Sequence, residues 1–187
     1  FLVVNVQLGI VSIAFEKLGL SQNSAYLLLL TTLLGSMINV PLFSLAADAG
    51  DAEPMWRELH RQFGAEPPEL SGRTVIAVNV GGAITPMAFS LYLLLHNPLD
   101  WLQVVAVVAF VAVIAYLTSF PIRGAGIGIP IFIAPLAAAF ISIAINPGQA
   151  APLAYIGGTV GVLVGADLLH LGSLRKLGAS LASIGGA

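Results

Sequence analysis

Residues 99–118 read LDWLQVVAVVAFVAVIAYLT, an apolar run in which Asp100 is the single charged side chain. An apolar helix needs about 20 residues to cross the hydrocarbon core of a bilayer, and this run is long enough. Continuous apolar runs favour helices, whereas the strands of a membrane barrel alternate apolar and polar residues. Five other windows have the same character, at about residues 1–19, 22–45, 74–95, 124–145 and 151–171. The sequence therefore predicts an all-α membrane protein with six transmembrane helices.

The composition of the chain supports this class. Of its 187 residues, 58% are hydrophobic and 9% are charged, whereas a soluble domain usually carries about 25% charged residues. The formal net charge of −2 offers nucleic acid no basic surface. The chain has no cysteine, which excludes disulfides and thiolate metal sites, and its three histidines are scattered. We therefore expect a lipid bilayer as the main partner, with no nucleic acid, no metal and no cofactor.

The positive charges predict an orientation. Six of the seven Lys and Arg residues lie in segments that six spans would place on one side of the membrane. They are Arg57, Arg61, Arg73, Arg123, Arg175 and Lys176. Because Lys and Arg are enriched in cytoplasmic loops, we expect a prokaryotic inner-membrane protein. Its N-terminus and the tail after the sixth span would be cytoplasmic.

The longest polar segment, residues 48–72, contains a candidate interfacial helix near residues 54–63. Trp56, Leu59 and Phe63 would share one face of this helix, with charged side chains elsewhere around it. Such a helix lies in the plane of the membrane surface. Anchoring is the simpler interpretation, and a gate or lid is the alternative.

Short motifs recur in the same order in the two halves of the chain. The matched pairs are Ala25-Tyr26 with Ala154-Tyr155, Thr31 with Thr159, Asn39 with Asp167, and NVGGA at 79–83 with SIGGA at 183–187. This order predicts a parallel internal repeat in a 3+1+3 arrangement. Residues 1–95 would form the first three-helix repeat and residues 96–120 a linker helix. Residues 121–187 would form a second repeat that stops at the start of a seventh helix, in what we expect to be a piece of a longer polypeptide.

Polar side chains inside apolar helices are costly unless they are paired or hydrated, so they mark candidate sites. Asp167 lies about one turn from the cytoplasmic end of the sixth span, and His170 follows three residues later on the same face. Asn39 and Asn79 lie at a similar predicted depth. This set predicts an ion or small-solute site in the cytoplasmic third. A capped, half-hydrated interfacial carboxylate is the alternative for Asp167.

Glycine and proline interrupt three of the predicted spans near the same depth. The candidate helix breaks are Pro41, Gly81, Gly82, Pro86, Gly124, Gly126, Gly128 and Pro130. Broken helices are tolerated at membrane depth only against protein or water, and they often mark transporter sites. For each stretch taken alone, tight helix packing is the favoured interpretation. Because the interruptions fall at one depth, we expect a single polar vestibule, across which Asn39 and Asp167 would face each other.

Four motifs together resemble a known family. They are AFEKLGLS at 14–21, GSMINVP at 35–41, NVGGA at 79–83 and GADLL at 165–169. They are similar to the bacterial and archaeal membrane family catalogued as domain of unknown function 1614, and the resemblance runs through nearly the whole chain. It implies a multi-pass inner-membrane protein and no particular activity. It also implies that relatives continue past SIGGA into another apolar stretch with a second carboxylate.

Three functions fit these features. The first is a small-solute or ion transporter with Asp167 as its coupling carboxylate. The second is a structural subunit or assembly factor of a larger membrane complex, or a homo-oligomer. The third is an intramembrane aspartyl protease, which needs a second carboxylate near Asp167. Whether the protein is an enzyme stays open from the sequence.

Overall fold

The computed structural model describes residues 12–46, 73–122, 126–174 and 181–186. Its main helices are α1 (Gln22–Gly35), α2 (Thr85–His96), α3 (Trp101–Thr118), α4 (Ile133–Ile145), α5 (Ala150–Val162) and α6 (Leu171–Leu174). Residues 12–17 are also helical. A π-helical turn at Val80–Ile84 precedes α2, and a second at Leu163–Leu168 extends α5. The predicted interfacial helix, with Trp56, Leu59 and Phe63, lies outside the described residues, as does Gly124.

Five short strands accompany the helices. They are β1 (Asn39–Ala46), β2 (Arg73–Asn79), β3 (Phe120–Ile122), β4 (Gly126–Gly128) and β5 (Leu181–Ile184). The first sheet has the order β1-β2-β5, with β1 antiparallel and β5 parallel to β2. The register of β1 shifts between Pro41 and Phe43, where proline has no N–H to donate to the ladder. Strands β3 and β4 form a separate antiparallel pair.

The prediction of six transmembrane helices is wrong. In the described part of the chain, two helices are long and apolar enough to cross a membrane, Trp101–Thr118 and Pro147–Leu168. Predicted span two is divided into α1 and β1, predicted span three begins as β2, and the expected start of a seventh helix is β5. Apolar content alone does not separate buried strands from helices. The β-branched residues of β2, together with Pro41 in β1, favour extended backbone here.

The parallel 3+1+3 repeat is also wrong. Asn39, which the motifs align with Asp167, begins a strand, whereas Asp167 lies in the π turn that extends α5. Helix α1 ends at Gly35, and the chain then pairs with β2. The corresponding part of α5 contains no proline and stays helical against α3. The same short motifs therefore adopt different backbones because their long-range partners differ.

The core is built around the contact between α3 and α5. Gly157, Gly161 and Gly165 recur at four-residue spacing and meet successive residues of α3, which shows that the two helices are parallel. Such small residues allow helix backbones to approach closely. The buried core residues around this contact are Phe89, Leu93, Val104, Val107, Val111, Ala138, Leu153 and Ile156.

The outer faces of the helices are unusually apolar. Leu102, Leu117, Ile131, Phe132 and Phe140 are each at least 70% exposed. Large contiguous apolar surfaces mark contacts with membranes or with other proteins. The two long apolar helices and this surface indicate membrane association.

The two ends of the helix bundle differ in the elements they contain. We call the end with the connection between α4 and α5 the loop end, and the end with the sheet β1-β2-β5 the sheet end. At the loop end, the Asn146 side chain donates to the Gln103 side chain at 3.1 Å, which joins the end of α4 to the start of α3. At the sheet end, Ser119 after α3 lies near His170 after α5. Both π turns and the sheet β1-β2-β5 belong to the sheet end. Within the described residues the loop end carries a short 3₁₀ turn at Pro147–Gln149, so irregular backbone occurs at both ends of the bundle, with more of it at the sheet end.

Candidate functional site

Asn79 is a buried residue whose side chain hydrogen-bonds to three structural elements. This residue is 3% exposed and is the last residue of β2. The Asn79 Nδ2 group donates to the Ser36 carbonyl at 2.8 Å and to Asn39 Oδ1 at 3.1 Å. The Asn79 Oδ1 atom accepts from the Gly82 N–H at 2.7 Å and so caps the first π turn. Because these hydrogen bonds tie the end of α1, the start of β1 and the turn before α2 together, the role of Asn79 is structural.

Strand β5 connects Asn39 and Asp167. The Ser183 hydroxyl donates to Asn39 Oδ1. Two residues later the Gly185 N–H donates to Asp167 Oδ2 at 2.8 Å. Gly185 has a φ of +71°, a left-handed conformation that favours glycine. We call Asn39, Asn79, Ser183, Gly185 and Asp167 the polar junction.

The polar junction brings together three of the four polar residues singled out from the sequence. Asn39 and Asn79 are in direct contact, and Asp167 joins them through β5 and its turn rather than by facing Asn39 directly. Asp167 also sits in a π turn, a rare local structure that occurs frequently at functional sites.

His170 makes its hydrogen bonds outside this junction. Its Nδ1 atom is 3.2 Å from the Gly165 carbonyl oxygen and 3.4 Å from Ser119 Oγ. The imidazole also packs on Tyr116, with 4.7 Å between the ring centroids. Within the described residues no hydrogen bond joins His170 to Asp167. The ring therefore contacts α3 rather than serving as a direct relay partner of the carboxylate.

A cavity of about 420 Å³ lies beside Asp167. Asp167 is the charged residue among those that line it, and Tyr155 and Thr159 supply hydroxyl groups. Pro86, Ile129 and several glycines complete a mostly apolar wall. A carboxylate that is partly fixed by a backbone N–H in such surroundings suits a cation or a hydrogen-bond donor. This is the expected chemistry of a small ligand pocket with few polar groups.

The predicted helix breaks have different outcomes in the structure. Gly81 and Gly82 lie in the first π turn, Pro86 begins α2, Pro41 lies in β1, Gly126 and Gly128 belong to β4, and Pro130 precedes α4. Gly81 serves close packing, because a Cβ atom there would lie 1.9 Å from the Thr32 carbonyl oxygen. Gly82 and Pro86 line the Asp167 cavity. Interrupted backbone and tight packing therefore occur together at this end of the bundle.

Sequence reasoning missed four residues of the site: Ser183, Gly185, Tyr155 and Thr159. The sequence predicts the start of a helix at the SIGGA motif, whereas the structure has a strand and its turn there. Tyr155, Thr159 and Asp167 are spaced by four and eight residues, which places them on one side of a helix. That spacing is the signal that could have identified the cavity wall. Within the described residues, no group of three or more His, Asp or Glu side chains could hold a metal ion.

Residues 33–187 match the family described as "Protein of unknown function (DUF1614)". The chain belongs to this family. The match confirms the resemblance drawn from the motifs, and it covers three of the four, from GSMINVP onwards. No curated protein and no solved structure matches the chain. Because the DUF1614 description carries no activity, the function has to be argued from the site.

Replacing Asn79 with alanine should destabilise this DUF1614 protein by about 2 kcal/mol, because a buried side chain and its three hydrogen bonds are lost. Asn39→Ala is the matched control. Asn39 lies in the same junction but is exposed, and without it the Asn79 Nδ2 group keeps its hydrogen bond to the Ser36 carbonyl. Thermal unfolding of the purified protein in one detergent would measure both variants. Equal losses for the two would contradict the structural role given to Asn79.

Proposed function

We propose that this protein is a prokaryotic inner-membrane protein that binds a small cation at Asp167, as a transporter or channel-like protein would. Helix α3 and the helix Pro147–Leu168 would cross the bilayer in the same direction. The sheet end would face the cytoplasm, because Arg73 lies there and positive residues favour that side. A single observation carries the proposal: the carboxylate of Asp167, held by Gly185, borders a cavity with a mostly apolar wall.

The charge of the site supports a cation rather than an anion. The described residues that line the Asp167 cavity include no Lys or Arg. A carboxylate in a poorly hydrated site attracts a positive ligand more strongly than a carboxylate in water does. The site therefore suits a positively charged ligand, and an ammonium ion can also donate hydrogen bonds to the carboxylate.

The protease hypothesis has less support. Its chemistry needs a second carboxylate that shares a water molecule with Asp167. Within the described residues the other acidic side chains are Glu16 and Asp100. Asp100 caps the start of α3, and Glu16 lines a cavity with Gln149, so both lie at the loop end. A structural subunit would use the exposed apolar faces, but it gives the Asp167 cavity no role.

The test measures binding of methylammonium chloride to the protein in lipid nanodiscs, by thermal unfolding at constant ionic strength balanced with sodium chloride. A ligand that binds the folded state raises the midpoint temperature. We expect methylammonium to raise the midpoint of the wild type and to leave Asp167→Asn unchanged. Glu16→Gln, which removes an acidic group at the loop end, should behave like the wild type. Equal responses of the wild type and Asp167→Asn would overturn the proposal.

A further inference from the structure

A second concavity along α5 adjoins the Asp167 cavity. This groove has a volume of about 460 Å³ and lies between residues 14–18 and the helices α4 and α5. Four residues line both spaces: Tyr155, Gly158, Thr159 and Val162. Together the two neighbouring spaces extend along α5 from Asp167 towards the loop end, and an elongated ligand would follow this path. We call the second space the α5 groove.

The wall of the α5 groove is apolar along most of its length. Apart from Tyr155 and Thr159, which also line the Asp167 cavity, its lining side chains are aliphatic except for one cation. That cation is Lys17, which also lines the polar cavity at the loop end. From Ala151 to Val162 the groove follows 12 residues of helix, a rise of about 17 Å at 1.5 Å per residue. Its shape fits an extended chain better than a compact solute.

The charges at the two ends of this path differ in sign. Asp167 lies at one end and Lys17 at the other, with the apolar wall between them. A bare inorganic ion gains nothing from an apolar groove, whereas an alkyl chain gains free energy from each buried methylene group. A protonated amine would be attracted to Asp167 and repelled by Lys17. The charge pattern therefore fixes one orientation for an amphiphile with a cationic head.

We propose that the ligand of the Asp167 cavity is a single-chain amphiphile with a protonated primary amine. Its ammonium group would lie at Asp167 and its alkyl chain in the α5 groove. This inference rests on the proposed cation site and adds the class of ligand that the site takes. A bound alkyl chain would explain why the groove is apolar, whereas a site for small inorganic cations would not.

The experiment compares methylamine, octadecylamine and octadecanoate as probes, with the full chain in lipid nanodiscs. The long alkyl chain is needed because Ala154 lies about 20 Å along the helix from Asp167, at 1.5 Å per residue. Ala154→Leu is the test variant, because Ala154 lines the α5 groove but not the Asp167 cavity. We expect it to weaken octadecylamine binding about tenfold or more by excluding the buried chain, and to leave methylammonium binding unchanged. Ala109→Leu, at an exposed position of α3, is the matched control and should bind both amines like the wild type.

The outcomes separate the two proposals. If methylammonium binding depends on Asp167 but Ala154→Leu binds octadecylamine normally, the cation site stands and the amphiphile is excluded. The same result is expected if bilayer lipid or residues 1–11 occupy the groove. Octadecanoate bound as tightly as octadecylamine would also overturn the inference, because the head group would then not be recognised. If neither amine binds, both proposals fall. Ala151→Leu, nearer the loop end of the groove, replaces Ala154→Leu if that variant does not fold.

Discussion

Replacing Gly82 with alanine should destabilise the protein by about 3 kcal/mol, because it overpacks a backbone contact that cannot yield. A Cβ atom on Gly82 would lie 1.6 Å from the carbonyl oxygen of Gly185. The turn at Gly185 would have to move, and the hydrogen bond from its N–H to Asp167 would be lost. Thermal unfolding measures the first effect, and methylammonium binding measures the second.

Gly148→Ala is the matched control for Gly82→Ala. A Cβ atom on Gly148 would meet Asn146 Oδ1 at 3.5 Å, an ordinary van der Waals distance. We expect this variant to unfold near the wild-type temperature and to bind methylammonium normally. A Gly82→Ala protein with wild-type stability would show that β5 and its turn do not pack on the first π turn.

Replacing Gly165 with alanine should also cost about 3 kcal/mol, because it pushes apart two parallel helices that touch through backbone atoms. A Cβ atom on Gly165 would lie 2.1 Å from the carbonyl oxygen of Ala112. Because the carbonyl oxygen belongs to the backbone of α3 and cannot rotate away, the π turn and α3 must separate. Asp167 lies two residues on, and we expect its cavity to be disturbed as well. The measurement is the unfolding midpoint in detergent.

Gly158→Ala is the matched control for Gly165→Ala. It makes the same replacement in the same helix, at a position where the added methyl group meets no backbone atom. A Cβ atom on Gly158 would meet the Ala138 Cβ atom at 3.6 Å, so the added methyl group is tolerated. Alanine is also the better helix former by about 1 kcal/mol, which makes a small gain in stability the expected result. If Gly165→Ala and Gly158→Ala were equally stable, the close packing of α3 and α5 would be refuted.

Sequence reasoning identified the polar residues of the site better than it identified the elements that carry them. Asn39, Asn79 and Asp167 were singled out because a polar side chain in apolar surroundings has to be explained, and that cost does not depend on the fold. Their connection through Ser183 and Gly185 depends on pairing between β2 and β5, which are about 100 residues apart in the chain. Local patterns carry no signal for such a pairing.

The sequence by itself determined that the chain is apolar and carries motifs of the DUF1614 family. These properties follow from composition and short motifs. Only the tertiary structure decided that residues 39–46, 73–79 and 181–184 are strands and that two helices reach spanning length. The physical reason is that an apolar run satisfies its backbone hydrogen bonds equally well in a helix or beside a partner strand. The choice is made by the partner, here β2 for both β1 and β5.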